Sequence, residues 1–207
     1  MKTALQIIFA LVILVLGYLL FESIMEPIRF NRDRDVRVEA AIVKLKDIRE
    51  LQVAYRGVYN QYTGSFDTLI TFFKNDSFVI DRPILVTEYN TDEITEREAI
   101  RRGLIKVEKT RIAVKDSILT PDYPIENIRF VPYIDNKEFQ MAAGEVSTTS
   151  GVNVKVFEAF VLFEDLLRGL DEQLIINYTE EREKVTKFPG LKVGSLEEAT
   201  NNAGNWE

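Results

Sequence analysis

Residues 5–21 read LQIIFALVILVLGYLLF, an apolar run whose only polar member is Gln6, near one end. At about 1.5 Å per residue, and with Thr3 and Ala4 included, the run nearly spans a hydrocarbon core of about 30 Å. It is long for the apolar region of a signal peptide, and no small-x-small cleavage pattern follows, the exit reading LFESIM. The expectation is an uncleaved anchor that meets the lipid bilayer through residues 4–21, with a cleaved signal peptide as the alternative.

Pro27 is expected to kink or interrupt the helix just outside the span. From Val38 the pattern turns one-sided. Val38, Ala41, Leu45, Ile48, Gln52, Tyr55, Tyr59 and Tyr62 follow 3-4-3-4 spacing, which predicts an amphipathic stalk helix to about Tyr62. Its C-terminal half is expected to pack on the chain's own domain. Its membrane-proximal half, Ala41, Leu45 and Ile48, is expected to be exposed in an isolated chain and to meet a partner, either another envelope protein or a second copy. Gln52 in the seam hints at register specification.

Gly64 is the expected helix stop, and Ser65 the cap of a short helix over 66–74. The remainder alternates more than it repeats. Apolar runs at 78–80 and 84–86 flank Pro83, and Thr95-x-x-Glu98 reads as a capping box for a helix over 95–102, stopped by Gly103. Residues 104–114 read as a strand or a strand with a break, and 127–134 as an edge strand. Residues 137–148 and 152–161 read as a hairpin turning at 149–151. A short helix over 163–170, an ambiguous segment at 174–178 that Asp171 would cap, and a last strand at 191–193 complete the reading. The fold class is therefore α+β. A transmembrane helix (1–21) continues into a juxtamembrane segment and stalk (22–62), then a domain (63–207) with a mainly antiparallel sheet and short peripheral helices, because strands and helices do not alternate as parallel units require.

Composition narrows the chemistry. The 207 residues include no cysteine and no histidine, which removes disulfides, thiolate nucleophiles and the commonest general base. Lys and Arg number 26 against 33 Asp and Glu, a net charge of −7, so nucleic acid is not an expected partner. Glu197, Glu198, Asn201, Asn202, Asn205 and Glu207 offer oxygen ligands, but their spacing is not that of a calcium loop, and a solvated tail is the preferred reading. No cofactor or metal is expected. Trp206, the only tryptophan, implies that the tail docks, on its own domain or on a partner.

An apolar helix leading into LKDIRELQVAYRGVYNQYTGSFDTLITF resembles the N-terminal third of type IV pilins and type II secretion pseudopilins, in which a long helix ends at a tyrosine and a glycine-containing turn. The match covers about residues 1–74, without a glutamate at the fifth position of the apolar run. FESIMEPIRFN and PGLKVGSLEEATNNAGNWE are similar to an uncharacterised family of single-pass envelope proteins of Bacteroidetes. These resemblances imply a pseudopilin-like fold, a bacterial inner-membrane location and a periplasmic C-terminal domain. The expected function is a non-enzymatic component of a secretion or pilus-type assembly. The alternative is a tethered ligand-binding domain or a carboxylate-dependent enzyme acting on cell-wall glycans.

Overall fold

The structure, a computed structural model, describes residues 2–86, 95–120, 122–148 and 151–207. Its first element, α1, runs from Lys2 to Tyr59 as one 58-residue helix. Pro27 lies inside it, so the expected interruption is corrected. Proline removes one i→i−4 bond here, and the Arg29 guanidinium bonds Glu22 at 2.9 Å across the weakened turn. The helix also ends sooner than expected. Asn60 takes the left-handed conformation (φ 53°) that stops it, a role asparagine shares with glycine, and Gly64 is not the stop.

The rest of the chain is α+β. Helix α2 (Phe66–Asn75) is capped by Ser65, whose side chain accepts from the Thr68 N–H, and it buries Phe66, Leu69, Ile70, Phe72 and Phe73. Strand β1 (Ser77–Leu85) and strand β2 (Ile105–Ala113) form an antiparallel two-stranded sheet in which Ser77 faces Ala113 and Leu85 faces Ile105. Pro83 is accommodated because the Val86–Leu104 bond turns alternate residues inwards and leaves residue 83 on the open edge. Helix α3 (Glu96–Arg101) precedes β2; Thr95 makes no side-chain cap bond, so no capping box forms, while Gly103 at φ 75° ends the helix. Helix α4 (Val114–Ser117) and a 3-10 helix (Ile125–Arg129) follow.

A second sheet has the order β3-β4-β5. Strands β3 (Gln140–Ser147) and β4 (Asn153–Leu162) form the expected hairpin, with Gln140 opposite Phe160; turn residues 149 and 150 lie outside the described residues. The side of β4 carrying Phe157, Ala159 and Val161 is buried. Strand β5 (Gly190–Gly194) pairs antiparallel with β4. At Gly194 (φ 73°) a Cβ would lie 2.1 Å from the Phe157 carbonyl oxygen, so only glycine allows this approach. Helix α5 (Phe163–Leu166) is one turn, and α6 (Glu172–Thr186) is a full helix whose N-cap, Asp171, accepts from the Leu174 N–H at 2.8 Å.

The edge strand expected at 127–134 is corrected. Those residues form the end of the 3-10 helix and a turn with Tyr133 and Asn136 at positive φ, closed by an isolated Phe130–Glu138 bridge. Pro132 suits a turn as well as an edge. The chain divides into two compact units: α1 up to Arg49 with Ile128–Glu207, and Glu50–Asn127.

Candidate functional site

Helix α1 carries the features that point to function. In its first half Ile7, Phe9, Leu14, Leu20 and Ile24 are all more than half exposed. The apolar window has a mean hydropathy of 2.0 and none of it is buried. This is one helix long and apolar enough to cross a membrane. After the apolar run charges resume at Glu22, and the next four arginines all have partners. Arg29 pairs with Glu22, Arg32 with Asp33 at 3.0 Å, and Arg34 with Asp35 at 2.7 Å. The Arg34 guanidinium also lies over the Tyr178 ring of α6, 4.7 Å from its centroid. Burial raises the Tyr178 pKa, with Arg182 and Arg34 acting against it. Arg37 Nη1 donates to the carbonyls of Leu166 (3.3 Å) and Arg168 (2.9 Å), the orphan acceptors at the end of α5.

The second half of α1 behaves in the opposite way. Among the described residues Phe30 is the first that is buried, and Ala41, Leu45, Ile48 and Leu51 have no exposed surface. The expectation that Ala41, Leu45 and Ile48 are exposed in an isolated chain is corrected: the chain itself covers them, and they offer a partner nothing. The physical reason is one of position. Arg34 stacks on Tyr178 of α6 and Arg37 bonds the end of α5 within a few turns of the apolar run, so the folded unit begins well before Ala41 and leaves no free stalk there. The face left exposed carries Ile28, Arg32, Val36 and Val43.

Gln52 is fully buried, with Nε2 donating to the Thr63 carbonyl (2.5 Å) and Oε1 accepting from the Thr63 N–H (3.1 Å). One side-chain amide thus pairs with both backbone groups of one residue and ties the exit of α1, rather than the register of a coiled coil. Of the stripe tyrosines, Tyr55 is buried, as its core reading requires, and Tyr59 is 46% exposed.

The C-terminal tail docks on its own unit. Gly204 bridges to Val193, and Asn205 receives the Lys192 N–H at Oδ1 (3.1 Å) while its Nδ2 donates to the Gly190 carbonyl (2.9 Å). The tail therefore covers the outer edge of β5. Arg49 of α1 closes it, donating to Glu207 Oε1 at 2.6 Å and to the Asn202 carbonyl at 3.4 Å. The Arg49 hydrogen bond holds the Glu207 carboxyl below its ordinary pKa. Trp206 is half-buried, its ring lying where a Cβ on Gly204 would be. Its Nε1 is buried with no hydrogen-bond partner among the described residues, so packing holds the ring.

Two grooves bear on function. One, of about 560 Å³, lies between the α5 turn and α6, with Leu170, Ile175 and Ile176 among its apolar lining and Glu164, Glu172 and Glu180 among its acidic lining. The other, of about 410 Å³, is lined by Tyr55, Tyr59, Asp67, Thr68, Thr71, Phe72 and Asp76. Tyr55 and Tyr59 lie 4.7 Å apart between ring centroids, Phe72 meets Tyr55 edge-on at 5.3 Å, and the Tyr59 hydroxyl donates to Asp76 Oδ2 at 2.9 Å. That bond raises the Tyr59 pKa.

Compared with known protein families, characterised proteins and solved structures, the chain matches none.

Among the described residues no group of three or more Asp and Glu is close enough to hold a metal ion. The C-terminal oxygens weighed as ligands are used otherwise, Asn205 on the backbone of β5 and Glu207 on Arg49. Arg34, Arg37 and Arg49 are the working residues that sequence reasoning missed. Their spacing along α1, at three and twelve residues, puts Arg34 and Arg37 on neighbouring positions of one face, but only the fold shows that α5, α6 and the tail lie beside them.

Proposed function

We propose that this chain is a non-enzymatic, membrane-anchored interaction component of a bacterial envelope assembly, held in the inner membrane by residues 4–21 with its folded part in the periplasm. The observation that carries the reading is the contrast along α1: an apolar span with nothing buried runs without a break into a helix whose stripe the chain buries from Ala41 to Tyr55. Water does not tolerate so long an apolar surface, and a bilayer does. One long helix followed by an antiparallel sheet also suits the pseudopilin-like resemblance.

The arginines bear on orientation. Counted as free charges after the span, they would hold the folded part in the cytoplasm. Arg34 and Arg37 have a structural use that accounts for them, on Tyr178 and on the carbonyls of Leu166 and Arg168. A reporter active only after export, fused after Glu207, is expected to be active. Activity of a cytoplasmic reporter at that position, with the exported one silent, would overturn the orientation.

A second reading has its own observation. The half-exposed Tyr59 ring, held by Asp76 and Phe72, makes a rigid platform beside Asp67, Thr68 and Thr71. Aromatic faces with carboxylate and hydroxyl groups suit a sugar, and the tethered domain would then bind cell-wall glycan. Titration with soluble peptidoglycan fragments tests it: binding lost in Tyr59→Ala supports this reading, and no heat of binding removes it.

A further inference from the structure

The groove between α5 and α6 and the exposed face of α1 complement each other, and one chain carries both. We propose that the groove receives the juxtamembrane face of α1, centred on Ile28, Arg32 and Val36, from a second copy of this chain. The proposal rests on the membrane-anchored reading.

Three observations carry it. The first is height. Arg168 lines the groove and its carbonyl is bonded by Arg37, while Thr179 and Glu180 of the groove adjoin Tyr178, on which Arg34 stacks. The groove therefore lies level with residues 34–37 of α1, about 20–24 Å along the helix from Phe21 at about 1.5 Å per residue. Residues 28–36 end at that same level. Copies anchored in one bilayer therefore present the groove at the height of the Val36 end of the α1 face, with Arg32 about one turn nearer the membrane.

The second is shape and polarity. Glu172, Ile175, Ile176, Thr179 and Glu180 share one side of α6, and with Leu170 they form an apolar floor between acidic rims. At Gly169 (φ 88°) a Cβ would meet nothing within 4 Å, so the groove stays open there. On α1, Ile28 (53% exposed) and Val36 (50%) sit at i and i+8 with Arg32 between them at i+4, the spacing by which a helix seats anchors in a groove. The third is charge. Arg32, whose side chain is 73% exposed, has its ion pair with the adjacent Asp33. In the docked position it meets the carboxylates of Glu172 and Glu180, and the exposed Asp35 comes near Arg168. Groove and face differ, so the contact is head-to-tail and leaves each copy with one of each surface unfilled, which generates a row or ring in the membrane plane.

The test uses the full chain in its native membranes. The sequence has no cysteine, so Val36→Cys and Ile176→Cys, both at exposed positions, supply the only thiols. Copies carrying one or the other, co-expressed and oxidised with copper phenanthroline, are expected to give a disulfide-linked dimer that neither variant gives alone. Arg32→Glu in the Val36→Cys copy is expected to remove the dimer, and Glu172→Lys with Glu180→Lys in the other copy to restore it. A dimer of Val36→Cys with itself and no mixed dimer would show a symmetric helix contact and overturn the proposal. Membrane-bound protein with no dimer also overturns it, alone; protein recovered in the soluble fraction overturns the anchored reading with it.

Discussion

The two halves of α1 are continuous in backbone and opposite in environment. Residues 7–21 are apolar on nearly every side, and the fold shields little of them; beyond Phe30 the apolar positions thin to a stripe, of which the chain buries Ala41, Leu45, Ile48, Leu51 and Tyr55. Hydrophobicity therefore does not rank burial here. A helix that is apolar all round needs a solvent that is apolar all round, and a one-sided helix needs only one packed face. On the reading proposed above, the same element has two different partners, lipid and its own fold.

The largest effects are expected where the fold provides the cover. Leu45→Ala and Ile48→Ala should each cost about 2–5 kcal/mol, the range for fully buried aliphatic side chains, and Ile48→Lys should prevent folding of its unit. Urea unfolding followed through Trp206, the only tryptophan, measures this. In the other half, Leu14→Arg should leave that unfolding curve unchanged and oppose insertion by about 2.5–3.5 kcal/mol at the centre of the span, read as loss from alkaline-washed membranes. If Leu14→Arg shifts the unfolding curve, the contrast between the halves fails.

Smaller effects sharpen the boundary. Gln52→Ala leaves the backbone N–H and C=O of Thr63 without their amide partner and should cost about 1–3 kcal/mol, measured by urea unfolding. The smallest concerns the tail. Glu207 has a lowered folded pKa because Arg49 donates to it. A depressed carboxylate contributes stability that is fully present above its unfolded pKa, about 4.3, and is lost as the pH falls through the folded value. Trp206 fluorescence should therefore change on acidification below that range and show no such step in Glu207→Gln.

Parts of this fold were legible because local chemistry agreed with tertiary packing. Ser65, Asp171 and Gly103 sit at their expected helix ends, and the 140–162 hairpin follows its alternation. Other parts were not. The second half of α6, TEEREKVT, has no apolar stripe, and Ile175 is the buried residue of the helix, so periodicity had nothing to detect. Asn60, not Gly64, takes the left-handed conformation that ends α1, and asparagine is a weaker signal of a helix stop than glycine. The stripe at Ala41, Leu45 and Ile48 was plain in the sequence as apolar. That the chain buries it was not, since burial depends on segments distant in sequence; Arg37, for example, bonds the end of α5 from about 130 residues away.

The most direct test is thiol labelling along α1 in native membranes, with a membrane-impermeant maleimide and three single-cysteine variants. Leu14→Cys is expected to stay unlabelled both in buffer and in concentrated urea, because lipid protects it. Ala41→Cys is expected to be unlabelled in buffer and labelled in urea, because the fold protects it, and Val43→Cys to be labelled in both. Labelling of Leu14→Cys in urea, or of Ala41→Cys in buffer, would contradict the division of α1 between bilayer and fold.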